Sequence, residues 1–253
     1  KSSFFSPIHG DEVLPTSLGE AVKSANKVDL MFGVTRDEGT MFTIMLLPEL
    51  LTINNFTIES AKLTMSKVAK FYGHSQVAAS EVADFYAKKL TANSTQDEIK
   101  LVISQVWGDS NLVCPTILFG EQLAKVAPTS QYYAYRVMEK PAPPSGLPAW
   151  FGVAHGTSQA YLFTSEAQPR SSAIHRVGSE MVHAWANFAK NGHPGTMEDS
   201  TVTWESAFKS EGNGSTTVNY HTRYMHLEVD KYQMVDNYFV ANCDQFWKPK
   251  IFA

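Results

Sequence analysis

An α/β architecture is what this sequence predicts, on three observations. Short apolar runs of strand length close on glycine or a polar loop, and longer segments between them carry apolar residues at helical 3–4 spacing. An acidic pair follows directly on the first strand-like run, where open α/β sheets place their ligand sites. The chain has 253 residues, 43% hydrophobic and 18% charged, enough for one large domain or two modest ones.

In chain order, Phe4 to Pro15 is turn-rich, and a helix is expected over Ser17–Asn26. Val28–Val34 reads as a short buried strand, with Asp37-Glu38 in the loop after it. Residues from Met41 to Gly108 read as helical. Spaced apolar positions mark Ser60–Ala69 and Glu81–Leu90, and Thr95-Gln96-Asp97-Glu98 resembles a capping box ahead of Ile99, Val102, Ile103 and Val106. Pro115–Val126 offers another helix. The aromatic run Tyr132–Met138 favours a strand. Pro141, Pro143, Pro144 and Pro148 exclude regular structure from the connection that follows. Ile174, Val177, Met181, Ala184, Trp185 and Phe188 give the clearest amphipathic helix, stopped by Asn191-Gly192. A strand is expected over Thr222–Val229 and a helix over Tyr238–Trp247. No repeat, low-complexity tract or heptad run is present.

Composition removes several function classes. The net charge of −4 gives no basic footprint for nucleic acid. No apolar run reaches the roughly 18–20 residues of a membrane helix. The chain opens on Lys1 without a signal-like apolar region, so Lys1 reads as a processed or truncated start. Cys114 and Cys243 are too few for a metal framework, leaving one disulfide or two free thiols. Asn55, Asn93 and Asn213 begin N-x-S/T sequons, glycosylation candidates that lean towards a secreted protein.

The chemistry resides in two segments. Gly33-Val34-Thr35-Arg36-Asp37-Glu38-Gly39 puts a carboxylate after a strand, and Trp150-Phe151-Gly152-Val153-Ala154-His155-Gly156 puts a histidine between glycines in a loop. Those are two members of a nucleophile–acid–histidine triad in that chain order. The third would be a serine in a G-x-S-x-G turn upstream of the acid, and no G-x-S-x-G occurs in the 253 residues. Taken singly, an acid after a strand is most often a surface turn and a loop histidine a local hydrogen-bonder. His175 and His183 share a helix, but no third ligand at suitable spacing makes them a metal site. They are read as helix surface or satisfied core, as are His193, His221 and His226, and no cofactor is expected. Asp109 is a candidate buried polar anchor near the triad.

Read together, these segments resemble the C-terminal half of the type-B carboxylesterase/cholinesterase family of α/β-hydrolases. Gly33–Gly39 looks like its acid motif, Asp109 through Cys114-Pro115 like its D-x-x-x-x-C-P segment, and Tyr132–Val137 like the strand before the histidine. Gly152–Gly156 resembles G-V-x-H-G, and Trp185–Pro194 resembles W-x-N-F-A-K-x-G-x-P. Cys243-x-x-Phe246-Trp247 resembles the region of the last family cysteine. The resemblance implies Glu38 as triad acid, chosen over Asp37, His155 as general base, and a Cys114–Cys243 bridge. It places Met41 and Phe42 on the alcohol side of the substrate pocket, and Met41 argues against a choline-selective cage. Relatives commonly carry an acid two or three positions after the histidine, whereas this chain reads Gly156-Thr157-Ser158-Gln159.

The expectation is therefore that residues 1–253 are the C-terminal portion of one α/β-hydrolase domain. The fold would comprise the C-terminal strands of a mostly parallel sheet with flanking helices. Its partners would be the N-terminal portion carrying the nucleophilic serine and oxyanion hole, and a small-molecule ester. A homodimer through C-terminal helices is an assembly the resemblance allows. The leading function is an extracellular serine carboxylesterase whose chain is inactive alone. The alternatives are a catalytically inactive adhesion or binding module, and acetylcholine hydrolysis; residues upstream of Lys1 would separate them.

Overall fold

In the computed structural model, residues 8–24, 27–71, 78–142, 146–164, 167–198, 200–208, 222–236 and 238–251 are described. Helix α1 (Leu18–Lys23) starts at Ser17, whose side chain accepts the Glu20 N–H, and leads to strand β1 (Leu30–Thr35). The expected helix reached Asn26, which lies outside the described residues. Three further strands follow: β2 (Tyr132–Val137), β3 (Tyr224–Leu227) and β4 (Gln233–Val235).

Among the described residues these strands form one sheet in the order β1-β2-β3-β4. β1 and β2 run parallel from Leu30↔Tyr132 to Thr35↔Val137, and β2 and β3 run parallel from Tyr135↔Met225 to Val137↔Leu227. β4 is antiparallel to β3. Side chains alternate between faces along each strand. Phe32, Val34, Tyr132, Ala134 and Tyr224 enter one core, while Tyr133, Val137, Met225 and Leu227 enter a second. The first face is covered by α3 (Ile58–Phe71), α4 (Ala79–Ala87), α5 (Gln96–Gly108) and α6 (Cys114–Val126), through residues such as Met65, Tyr86, Ile103 and Leu118. The second is covered by α7 (Thr157–Thr164) and α8 (Ala173–Asn191), through Tyr161, Val177, Met181 and Ala184. Burial on both faces is why β2, apart from Arg136, reads as an aromatic and apolar run rather than an alternating one. The α/β class is as the sequence predicts.

Local signals set several boundaries. Thr95 and Glu98 form the expected capping box at the start of α5. Ser172 caps α8, and Gly192 ends it in a left-handed conformation, φ 78°. Four elements differ from the sequence reading. The expected strand over Thr222–Val229 is confined to β3, with a turn at 229–230 leading into β4, which no alternation marked. α7 escaped notice because its eight residues carry no apolar stripe: Tyr161 is buried but Phe163 points to solvent. After α5 the helix widens into one π-turn, Asp109–Val113, before α6. There Ser110 Oγ donates to the Val106 carbonyl (2.8 Å) and Asn111 Nδ2 to the Trp107 carbonyl (3.0 Å), so side chains take the acceptors the α-helical ladder would use. The C-terminal helix is a π-helix over Val240–Trp247, continuing as α9 (Lys248–Ile251).

That C-terminal segment is pinned to the first layer. Cys114 at the start of α6 is disulfide-bonded to Cys243. Beside the bridge, Asp109 accepts from the Tyr86 hydroxyl (2.7 Å) and from Asn242 Nδ2 (2.6 Å), and Trp247 Nε1 donates to the Tyr86 oxygen (2.8 Å). Burial raises the Asp109 carboxyl above the usual aspartate range. The buried-anchor reading of Asp109 is what the structure shows.

Candidate active site

The site is assembled where β1 and β2 end. After Thr35 the chain turns through residues 36–38 into α2 (Gly39–Leu46). Glu38 sits at that junction, 7% exposed. Its Oε1 accepts the Thr35 backbone N–H (2.6 Å), and its Oε2 lies 2.7 Å from His155 Nδ1. Facing a carboxylate, Nδ1 carries the proton, so Nε2 is the nitrogen left to act as a base. The His155 side chain is 44% exposed. Its pKa is raised above the ordinary imidazole value by the hydrogen bond to Glu38, against the opposing effect of burial. The Tyr135 hydroxyl is pushed up to about 12 by burial and by the Glu38 charge.

Asp37, the neighbour that sequence physics could not separate from Glu38, has another task. Its Oδ2 accepts the Val153 N–H (2.8 Å) and Arg36 Nε (2.9 Å), while its own N–H donates to the Val153 carbonyl (3.0 Å). Thr40 Oγ1 donates to the Phe151 carbonyl (2.8 Å). These bonds fasten the acid turn to the histidine loop across 116 positions of sequence for Asp37 and Val153. Gly152 makes the fastening fit. Its φ is +68°, and a Cβ there would run into the Asp37 carboxylate. Gly39 is required for a second close approach: a Cβ would strike the Ser104 carbonyl and lie 2.7 Å from the Gly108 nitrogen, so α2 and α5 meet backbone to backbone.

Met41 and Phe42 both lie close to His155. Phe42 stacks on Trp107 with ring centroids 3.9 Å apart and leans on the His155 ring at 5.2 Å. Met41, Phe151, Ala154, His155, Tyr161 and Ile174 help to line a hollow of about 380 Å³. None of the hollow's lining residues is a carboxylate. Arg36, Asp37, Thr40 and Val153 as loop fasteners, and Tyr161 and Ile174 as walls, were not singled out from sequence. The one signal for the fasteners was the Gly152-Val153 pair inside the histidine motif.

Other candidates lie elsewhere. His183 also faces a carboxylate, with Nδ1 2.8 Å from Glu198, but its Nε2 is engaged by Asn187 Nδ2 at 2.7 Å, so both ring nitrogens are satisfied. His226 is buried on β3, and burial together with the Arg136 charge lowers its pKa to about 4. His193 is exposed, and His221 lies outside the described residues. Among the described residues no three His, Cys, Asp or Glu side chains gather to hold a metal ion, and no helix is long and apolar enough to cross a membrane. Asn55 and Asn93 are exposed, and Asn213 lies outside the described residues.

Comparison with known proteins decides the family. The sequence model of the carboxylesterase family matches residues 1–246. The chain belongs to the carboxylesterase family. Similar proteins include a cholinesterase of Mus musculus, 25% identical over 231 residues, which are 89% of this chain and 36% of that protein. Acetylcholinesterase-1 of Trittame loki is 25% identical over 256 residues, 97% of this chain and 42% of the relative. Acetylcholinesterase of Bungarus fasciatus is 25% identical over 208 residues, 79% and 33% of the two chains. This carboxylesterase-family chain thus spans between 33% and 42% of the length of these relatives.

Proposed function

We propose that this chain supplies the acid and the general base of a serine-type carboxylic ester hydrolase. Glu38 orients His155, and the nucleophilic serine and oxyanion hole come from a segment beyond these 253 residues. The observation that carries the reading is the 2.7 Å contact between buried Glu38 and half-exposed His155, in a family of esterases. As the serine oxygen attacks the ester carbonyl carbon, His155 Nε2 takes its proton and Glu38 stabilises the imidazolium. Collapse of the tetrahedral intermediate breaks the bond to the alcohol, which leaves with the proton from Nε2. Water then attacks the acyl-enzyme by the same route, returning the serine and releasing the acid. Backbone N–H groups of the partner segment hold the oxyanion.

The substrate is an uncharged, lipophilic ester. The hollow beside His155 presents Met41, Phe151, Ala154 and Ile174 and no carboxylate. A choline ester is the second reading, favoured by the names of the cholinesterase relatives; it needs aromatic faces to hold its ammonium group. Secretion and glycosylation at Asn55 and Asn93 complete the proposal, supported by the disulfide, which persists in oxidising compartments.

The test is a fluorophosphonate serine probe applied to the native protein, followed by intact mass under non-reducing conditions. Label on a serine outside residues 1–253, with hydrolysis of p-nitrophenyl esters falling as the label accumulates, is the expected result. A companion segment that takes no label would overturn the enzyme reading in favour of a binding module.

A further inference from the structure

The C-terminal segment carries a second titratable cluster, remote from Glu38 and His155 in role. Glu121 projects from α6 and is 0% exposed. Its Oε2 accepts from Lys248 Nζ at 2.7 Å, and the same ammonium reaches Asp244 Oδ1 at 3.2 Å. The Asp244 carboxyl also lies within hydrogen-bonding reach of Glu121, and Glu121 Oε1 has no donor among the described residues. Two carboxylates thus share one ammonium, with Glu121 sealed from water and Lys248 and Asp244 partly exposed, an arrangement that favours the neutral form of Glu121.

Among the described residues the other nearby cations are engaged elsewhere: Lys250 pairs with Glu81 at 2.9 Å, and Arg136 on β2 lies over the Tyr238 ring. On β3, the Tyr224 hydroxyl is held in its neutral form by burial, with the charges of Glu121 and Asp244 adding to the effect. α1, packed on α6, brings Glu20 and Lys23, which pair with each other in solvent. α6 itself brings the exposed Lys125, β1 brings no charged residue, and the π-turn brings Asp109, bound to Tyr86 and Asn242. Lys248 is therefore the cation that answers both acids.

We propose that Glu121, Asp244 and Lys248 form a proton-sensitive clasp that fastens residues 240–251 onto α6, tighter when Glu121 is protonated and looser when it ionises. Burial, with the nearby Asp244 charge, holds the Glu121 carboxyl up at about 7, against the hydrogen bond from Lys248. A carboxyl raised in the folded state binds its proton more tightly there than in the unfolded chain. Stability therefore falls as pH rises from the ordinary glutamate range to about 7, and is level above it. The disulfide at Cys243 keeps the segment tethered while the clasp loosens, so the effect is local.

The test uses the native full-length protein with the disulfide intact, compared with Glu121→Gln, a neutral isostere of the protonated acid. Amide hydrogen exchange over residues 240–251 is read at about pH 5.5 and about pH 8.5, after correction for the intrinsic rate. Wild type is expected to lose protection several-fold at the higher pH, whereas E121Q keeps it, the two coinciding at the lower pH. An equal loss in E121Q overturns the clasp. Should E121Q fail to fold, the Glu121 carboxyl is followed by carbon NMR titration in wild type and in Asp244→Asn. Removing the neighbouring charge must lower the titration midpoint, and an unmoved midpoint overturns the proposal.

Discussion

The Glu38–His155 and Glu198–His183 pairs show how little separates an open carboxylate–histidine pair from a closed one. Both pairs have a carboxylate within 2.8 Å of Nδ1, but Asn187 occupies Nε2 of His183, while His155 turns an accessible ring over an apolar hollow. If the proposed reaction is right, Glu38→Gln lowers kcat by about 10³–10⁴ with the fold retained, because the imidazole loses its orienting partner. Steady-state kinetics beside circular dichroism would check it. The reaction needs neutral His155, so the acid limb of the pH–rate profile lies above the ordinary imidazole value; E38Q should move that limb to lower pH. Asp37→Asn is a different experiment. It weakens a charged acceptor shared by Val153 and Arg36, at a cost of about 1–3 kcal/mol in urea unfolding, and lets the histidine loop drift from the acid. The division of labour between Asp37 and Glu38 was not legible in the residues, because adjacent carboxylates after a strand differ only in which way the turn points them. The family resemblance chose Glu38, and the geometry agrees on which one meets the imidazole.

The elements were legible where one residue type dictates the outcome, and obscure where tertiary contact does. The capping box at Thr95, the glycine stop at Gly192 and the stripe of α8 each place a boundary close to where it falls. α7, β4 and the two π-helical stretches depend on what packs or bonds against them, and no period announces them. Gly39 is the sharpest element-scale constraint. Gly39→Ala should destabilise the fold by about 1–3 kcal/mol or more, since the obstruction is the backbone of α5 rather than a side chain that could swing aside. A urea midpoint equal to wild type would refute this. Replacing both cysteines by alanine should cost about 2–5 kcal/mol, the range for a bridge closing so long a loop, with the slope of the urea curve revealing any added expansion of the unfolded chain.

At the scale of the molecule, the fold class and family could be read because six short motifs recur in order, although each alone is weak. The layering could not, because which helix covers which face follows from the pairing of strands far apart in sequence, β1 with β2 and β2 with β3. The proposal requires that the isolated 253-residue chain hydrolyse no ester and that adding the serine-bearing segment restore turnover. Measurable turnover by the pure chain would defeat it. The bridge between Cys114 and Cys243 has one more consequence. It closes a covalent ring of the chain whose ends are 129 positions apart, and His155 rides inside that ring while Glu38 lies on the tail outside it. A protease that cuts once within residues 115–242 opens the ring without parting the pieces, and both halves migrate together until a reductant is added. A single cut between Glu38 and Cys114 severs acid from base outright, with no covalent bond left to hold them.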